Sequence, residues 1–154
     1  MSRRSVDLPS LQMVLVFTAN VFISLWDKTE VPTFRIFGEA LILLGAILFA
    51  YVLAYLRSGF FGETEPKLDR LITDGPYRFC RHPLYLSFIV IAFGLDLAFG
   101  SVSGVALTFL LSIPSAAYRA RVEDRLLSER FGEEWEDYSE RVGFLLPKLV
   151  GGRE

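Results

Sequence analysis

The sequence predicts an all-α fold: a polytopic membrane bundle of about four transmembrane helices with a cytoplasmic amphipathic C-terminal helix. Three observations predict it. Hydrophobic residues make up 52% of the chain and the mean hydropathy is +0.39, high for a soluble domain. The charged residues are segregated, so that long stretches carry almost none. That segregation is what a bilayer demands, because a charge near its centre costs about 2.5–3.5 kcal/mol on insertion scales. Finally, four apolar segments are separated by polar or turn-forming residues.

At 154 residues the chain reads as one domain, residues 1–154. The start is basic through Arg3 and Arg4, and the apolar run behind it has no A-x-A cleavage pattern, so it reads as a retained span. The spans are Leu11–Trp26, Ile36–Leu56, Leu84–Phe99 and Val102–Tyr118. Only the second reaches the roughly 20 residues of a comfortable crossing; the others need flanking residues, tilt or an adapting bilayer. Leu84 to Tyr118 as a single helix would overshoot the hydrocarbon core, and Gly100-Ser101-Val102-Ser103-Gly104 offers a turn, so a tight hairpin is expected there. Pro114 is expected to kink the last span. Beyond it, Tyr118, Val122, Leu126, Leu127, Phe131, Trp135, Tyr138 and Val142 mark one apolar helix face, interrupted at Gly132. Trp135 and Tyr138 suit the headgroup layer, which would lay this tail along the membrane surface.

Lys and Arg set the orientation. With the N-terminus cytoplasmic, the inside segments hold 14 of the 16 basic residues, leaving only Lys28 and Arg35 outside. A multi-pass protein with both termini in the cytoplasm is expected, with residues 57–82 and 119–154 on that side. A site built from these two regions would face the cytoplasm and could combine a cytosolic cofactor with a membrane-dissolved substrate.

Several function classes recede. One cysteine, Cys80, excludes an internal disulfide and a Cys-based zinc site, and one histidine, His82, excludes a His-rich centre, so no metal is expected. Neither a Walker loop nor GxGxxG is present. The formal net charge of −2 says little about nucleic acid, because the charges are unevenly spread; no nucleic-acid partner is expected.

Two blocks carry the chemistry. The first is Thr73-Asp74-Gly75-Pro76-Tyr77-Arg78-Phe79-Cys80-Arg81-His82-Pro83-Leu84-Tyr85-Leu86-Ser87. Gly75-Pro76 is a turn and Pro83 suits the first turn of a helix, so Tyr77, Arg78, Arg81, His82 and Tyr85 cluster where the third span leaves the cytoplasmic face. The second block runs from Arg119 to Gly132 and places Arg119 and Glu123 four apart on one helix face. Singly, these residues have blander readings: Tyr77 and Tyr85 as belt aromatics, Arg78 and Arg81 as positive-inside anchors, Glu123 and Asp124 as a solvated face, His82 as a capping residue. Cys80 reads as a small apolar filler, and Glu39 and Asp96 as snorkelling or hairpin-capping groups near outer span ends.

Together, "TDGPYRFCRHPLYLS" and "RARVEDRLLSERFGEEWEDYSERVGFLLP" resemble the signature of the isoprenylcysteine carboxyl methyltransferase family, over roughly residues 69–147. The resemblance implies a membrane-embedded S-adenosylmethionine site, with Leu71, Ile72, Tyr77, His82, Pro83, Leu84, Tyr85 and Glu123 at cofactor positions. It implies that Arg119 acts on the substrate, making Arg119 and Glu123 the expected catalytic pair. Ser87 stands where the family has glycine, and Asp124 where it has a second glutamate, which leaves that carboxylate's role open. Methyl transfer from a sulfonium needs alignment and desolvation rather than a general acid. Glu123 would hold the cofactor's ammonium, His82 or the backbone beside it the carboxylate, and Arg119 an anionic acceptor. The expected acceptor is a prenylcysteine-like carboxylate, with membrane lipids as surroundings. Alternatives are a phospholipid amine, a small lipophilic thiol or acid, an NADPH-dependent sterol-reductase-like enzyme that shares Arg-His-Pro-x-Tyr, and a non-catalytic scaffold.

Overall fold

The computed structural model describes residues 8–27, 29, 34–61 and 70–148, with the side chains of 57–61 outside the described set. Of the basic residues that set the expected orientation, Arg3, Arg4, Lys28, Lys67 and Arg153, together with the Arg57 side chain, lie outside it. Among the described residues the fold is all-helical: α1 (Leu8–Trp26), α2 (Arg35–Phe61), α3 (Pro83–Phe99), α4 (Val102–Phe131) and α5 (Glu133–Arg141). Three helices, α1, α2 through Leu56, and α4, are long and apolar enough to cross a membrane, and α3 is a shorter apolar helix of 17 residues. Many of their apolar side chains point outward: Leu15, Phe22, Ile36, Leu43, Ile47 and Leu110 are all exposed. In water that surface would be untenable; in lipid it is the natural outer face.

Helix packing here depends on small residues. α2 lies along α3, and a Cβ added to Gly94 would sit 2.8 Å from the Ile42 backbone nitrogen, while one at Gly45 would sit 3.1 Å from the Ser87 carbonyl. Lipid tails give helices no hydrophobic reason to associate, so close backbone approach and interhelical hydrogen bonds must hold the bundle. Ser87 is fully buried and turns its hydroxyl back onto the Leu84 carbonyl at 2.6 Å, which satisfies its polar group within the helix.

The hairpin forms where Gly and Ser signalled it. Gly100 takes the left-handed conformation (φ 64°) that ends α3, and the Ser101 hydroxyl caps α4 by accepting from Gly104 N–H. Asp27, at the end of α1, accepts from Ser103 N–H and from the Ser101 hydroxyl, both at 3.0 Å. Its carboxyl is held well below the usual range, first by the Thr29 hydrogen bond and then by the Ser103 amide.

Asp96 departs from expectation. Its backbone carbonyl does cap the hairpin, accepting from Ser101 N–H at 2.8 Å, but its side chain is no snorkelling group. It is fully buried, and its two oxygens accept from Ser24 of α1 at 2.5 Å and Thr108 of α4 at 2.6 Å. Asn20 closes this knot by donating to Thr108 Oγ1 at 2.9 Å. Glu39, by contrast, stays exposed and pairs with Arg35.

Where a kink was expected at Pro114, the helix instead widens into a π-helical stretch over Thr108–Ser112, immediately before it. Proline cannot donate to the carbonyl four residues back and its ring crowds that carbonyl, and a widened turn relieves both. α4 then runs on unbroken to Phe131, and Gly132 at φ 53° stops it. The tail corrects a second expectation. Trp135 and Tyr138 are not headgroup-facing: at 5% and 3% exposure they are buried with Leu71, and Leu127, Phe131 and Val142 pack around them. α5 therefore folds back onto the loop before α3.

Candidate active site

Gly75 sits at φ 57° with the Tyr55 ring against it, where a side chain would clash, and opens a short 3-10 turn, Gly75–Arg78. Asp74, just before, accepts the Tyr55 hydroxyl, and that bond lowers its carboxyl pKa. The turn places Tyr77, whose carbonyl accepts the buried Tyr138 hydroxyl at 2.8 Å. Burial, reinforced by the charge of Glu123, pushes the Tyr77 phenol up to about 12. The chain next runs extended beside the tail: Cys80 bridges to Gly143, and Arg81 N–H donates to the Gly143 carbonyl at 2.8 Å. Burial raises the Cys80 thiol to about 11, in keeping with its reading as an inert filler.

His82 occupies the N-cap position of α3 with Pro83 following, as the sequence indicates, though its side chain does not cap. It is buried instead, stacked on Tyr85 (5.5 Å between centroids, 18° between planes), with Phe144 meeting it edge-on. Two carboxylates from α4 meet this group. Tyr85 donates to Glu123 Oε2 at 2.7 Å. Asp124 receives His82 Nε2 on one oxygen at 2.6 Å and Arg81 on the other at 2.9 Å. The Arg81 guanidinium also lies over the rings of Trp135 and Phe144, 5.6 and 5.4 Å from their centroids, within cation–π range.

The result is a cleft of about 40 Å3 lined by Tyr77, Arg81, His82, Pro83, Leu84, Tyr85 and Glu123. Of the residues singled out by sequence, six thus share one cavity wall. Leu71 lies behind it, buried against Trp135 and Tyr138, and Ile72 is exposed. Arg119, one turn before Glu123, donates from Nε to Ser10 of α1 at 2.7 Å. Sequence reasoning placed Arg81 in the cluster without giving it a site role and left the role of Asp124 open, and Phe144 belongs to no periodic pattern. For Asp124 the available signal was its departure from the motif the sequence resembles.

The profile of the family described as phospholipid methyltransferase matches residues 33–134, which span α2 to the start of α5 and both motif blocks. The chain belongs to the phospholipid methyltransferase family. The chain is also similar to individual curated proteins. It is 40% identical over 86 residues to the nickel-cobalt-cadmium resistance protein NccN of Alcaligenes xylosoxydans xylosoxydans, covering 54% of this chain and 38% of that one. It is 30% identical over 133 residues to the cobalt-zinc-cadmium resistance protein CzcN of Cupriavidus metallidurans, covering 82% of this chain and 55% of that one. It is 31% identical over 79 residues to the protein-S-isoprenylcysteine O-methyltransferase of Schizosaccharomyces pombe, covering 51% and 34%. The matched region thus spans about half or less of each of these relatives. No solved structure matches. As a phospholipid methyltransferase family member with apolar helices of spanning length, the chain is a membrane protein.

Proposed function

We propose that this chain transfers a methyl group from S-adenosylmethionine to a lipophilic acceptor at the membrane–cytosol boundary, the acceptor being a carboxylate of isoprenylcysteine type. One observation carries the reading: two motif blocks some 40 residues apart converge on a single cleft, joined by Tyr85–Glu123 and His82–Asp124. Belt aromatics or a solvated charged face would have no reason to interlock this way. The similarity to an isoprenylcysteine O-methyltransferase supports the choice of acceptor.

When bound, S-adenosylmethionine supplies a methyl carbon activated by the neighbouring sulfonium. The residues present suit it in kind, with a carboxylate, an imidazole and aromatic walls around one cleft. At about 40 Å3 the cleft has room for only a few water molecules, so binding requires it to widen. Glu123 holds the ammonium end, and Arg119 orients the anionic acceptor through its planar fork. A carboxylate acceptor has no proton to lose, so these residues need only align the partners and exclude water.

This reading sets four crossings. α1, α2 and α4 meet the length requirement, and α3, shorter but packed among them, forms the fourth. Arg70, Arg78, Arg81 and the basic residues from Arg119 to Lys148 then lie on the cytoplasmic side with both termini. The test is a ligand comparison on the detergent-solubilised protein. S-adenosylhomocysteine should raise its thermal midpoint while NADPH leaves it unchanged, and radiolabelled methyl should reach a farnesylcysteine carboxylate. A shift with NADPH alone would refute the proposal.

A further inference from the structure

We infer that Asp124 is a positioning residue that holds His82 with its proton on Nε2, leaving Nδ1 as a hydrogen-bond acceptor beside Glu123. Carboxylate oxygens only accept, and guanidinium groups only donate. Asp124 takes Arg81 on Oδ2 at 2.9 Å and His82 Nε2 on Oδ1 at 2.6 Å, so the 2.6 Å contact is an Nε2–H···O bond. The second ring nitrogen, Nδ1, lies 3.9 Å from Glu123 Oε2, too far for a hydrogen bond. Tyr85 stacked on the ring and Phe144 packed against it at 76° both oppose the rotation that would exchange the two nitrogens. Which nitrogen a histidine presents is set by the bond its other nitrogen makes.

The consequence concerns ligand polarity, and it rests on the methyltransferase reading. Nδ1 and the Glu123 carboxylate form an acceptor corner in the cleft. Such a corner takes a donor, such as an ammonium or a hydroxyl, and turns a carboxylate away. His82 therefore belongs with Glu123 at the cationic end of the ligand rather than at its carboxylate end. It also gives Asp124 a role of its own. Its carboxylate meets both Arg81 and His82 at the start of α3, while Glu123 turns to Tyr85.

His82 is the chain's one histidine, so a sample labelled with 15N-histidine reports on it alone. In detergent micelles above pH 8, the wild-type full chain should show a protonated Nε2 and a bare Nδ1. The opposite tautomer would overturn the inference. Asp124→Asn should disturb that tautomer and weaken S-adenosylhomocysteine binding roughly tenfold or more, the scale of one charge-assisted hydrogen bond. Asp124→Glu, which keeps the charge, should restore both in large part. If Asp124→Asn leaves tautomer and affinity unchanged, Asp124 positions nothing and the inference falls. If no form binds S-adenosylhomocysteine while the tautomer follows residue 124 as described, the positioning stands and the methyltransferase reading falls instead.

Discussion

The phenol of Tyr85 donates to the carboxylate of Glu123 across 2.7 Å, tying the first turn of α3 to the C-terminal third of α4. One residue further along α4, Asp124 does the same for His82. Adjacent helical residues point about 100° apart, so Glu123 and Asp124 grip α3 from two sides and define the cleft between them.

Glu123 and Tyr85 should act as a coupled unit. Glu123→Gln is expected to raise the apparent KM for S-adenosylmethionine by about tenfold, the lower end for a charged hydrogen bond because the carboxylate is partly exposed. Tyr85→Phe should show a smaller loss. In a double-mutant cycle the two effects should fall short of additive, as is usual for residues in contact. Strict additivity would show that the observed bond has no bearing on binding.

Arg119 should separate from this pair. It lies one turn away and bonds Ser10 on α1, so Arg119→Lys should leave S-adenosylhomocysteine affinity nearly intact while lowering kcat/KM for the acceptor. Lysine keeps the charge but loses the planar fork. Loss of cofactor binding in this variant would reverse the roles assigned to Arg119 and Glu123.

The buried knot around Asp96 should govern stability rather than activity. A methyl group on Gly104 would run into the oxygens of Asp96, Ser24 and Ser101. Gly104→Ala should therefore cost about 1–3 kcal/mol, the usual scale of overpacking, seen as a lowered midpoint in detergent with the affinity of folded protein unchanged. A midpoint equal to wild type would mean that the helices shift freely there.

Cys80 should resist alkylation. Burial raises its thiol to about 11, so at pH 7–8 almost no thiolate forms, and a maleimide should react only as the protein unfolds. That silence permits topology mapping with cysteines introduced singly. Exposed positions in 70–82 and 119–148 should label from the cytoplasmic side. Labelling of the C-terminal region from outside would overturn the orientation and the placement of the site.

Tyr138→Phe should loosen the loop that presents Tyr77. It removes the bond from the Tyr138 hydroxyl to the Tyr77 carbonyl and should cost about 1 kcal/mol. Hydrogen exchange should rise at Tyr77–Cys80 while α2 stays protected. Unchanged exchange would leave α5 without a role in shaping the site.

The sequence alone determined the helical class, the four apolar segments, the glycine breaks at Gly100 and Gly132, and the two blocks that meet in the cleft. These are local signals: hydropathy, periodicity, and the conformations open to glycine and proline. Only the tertiary structure decided where the polar exceptions go. Asp96 lies near a span end in sequence, and nothing local distinguishes a snorkelling carboxylate from one met by Ser24 and Thr108, since those partners come from other helices. Trp135 and Tyr138 carry the composition of an interfacial belt, yet the break at Gly132 turns them onto Leu71. Asp124 looked like a weakened copy of a family glutamate until Arg81 and His82, some forty residues earlier, were brought against it. A side chain's role in such a bundle is set by what faces it across a helix interface, and that is a property of packing, which periodicity cannot encode.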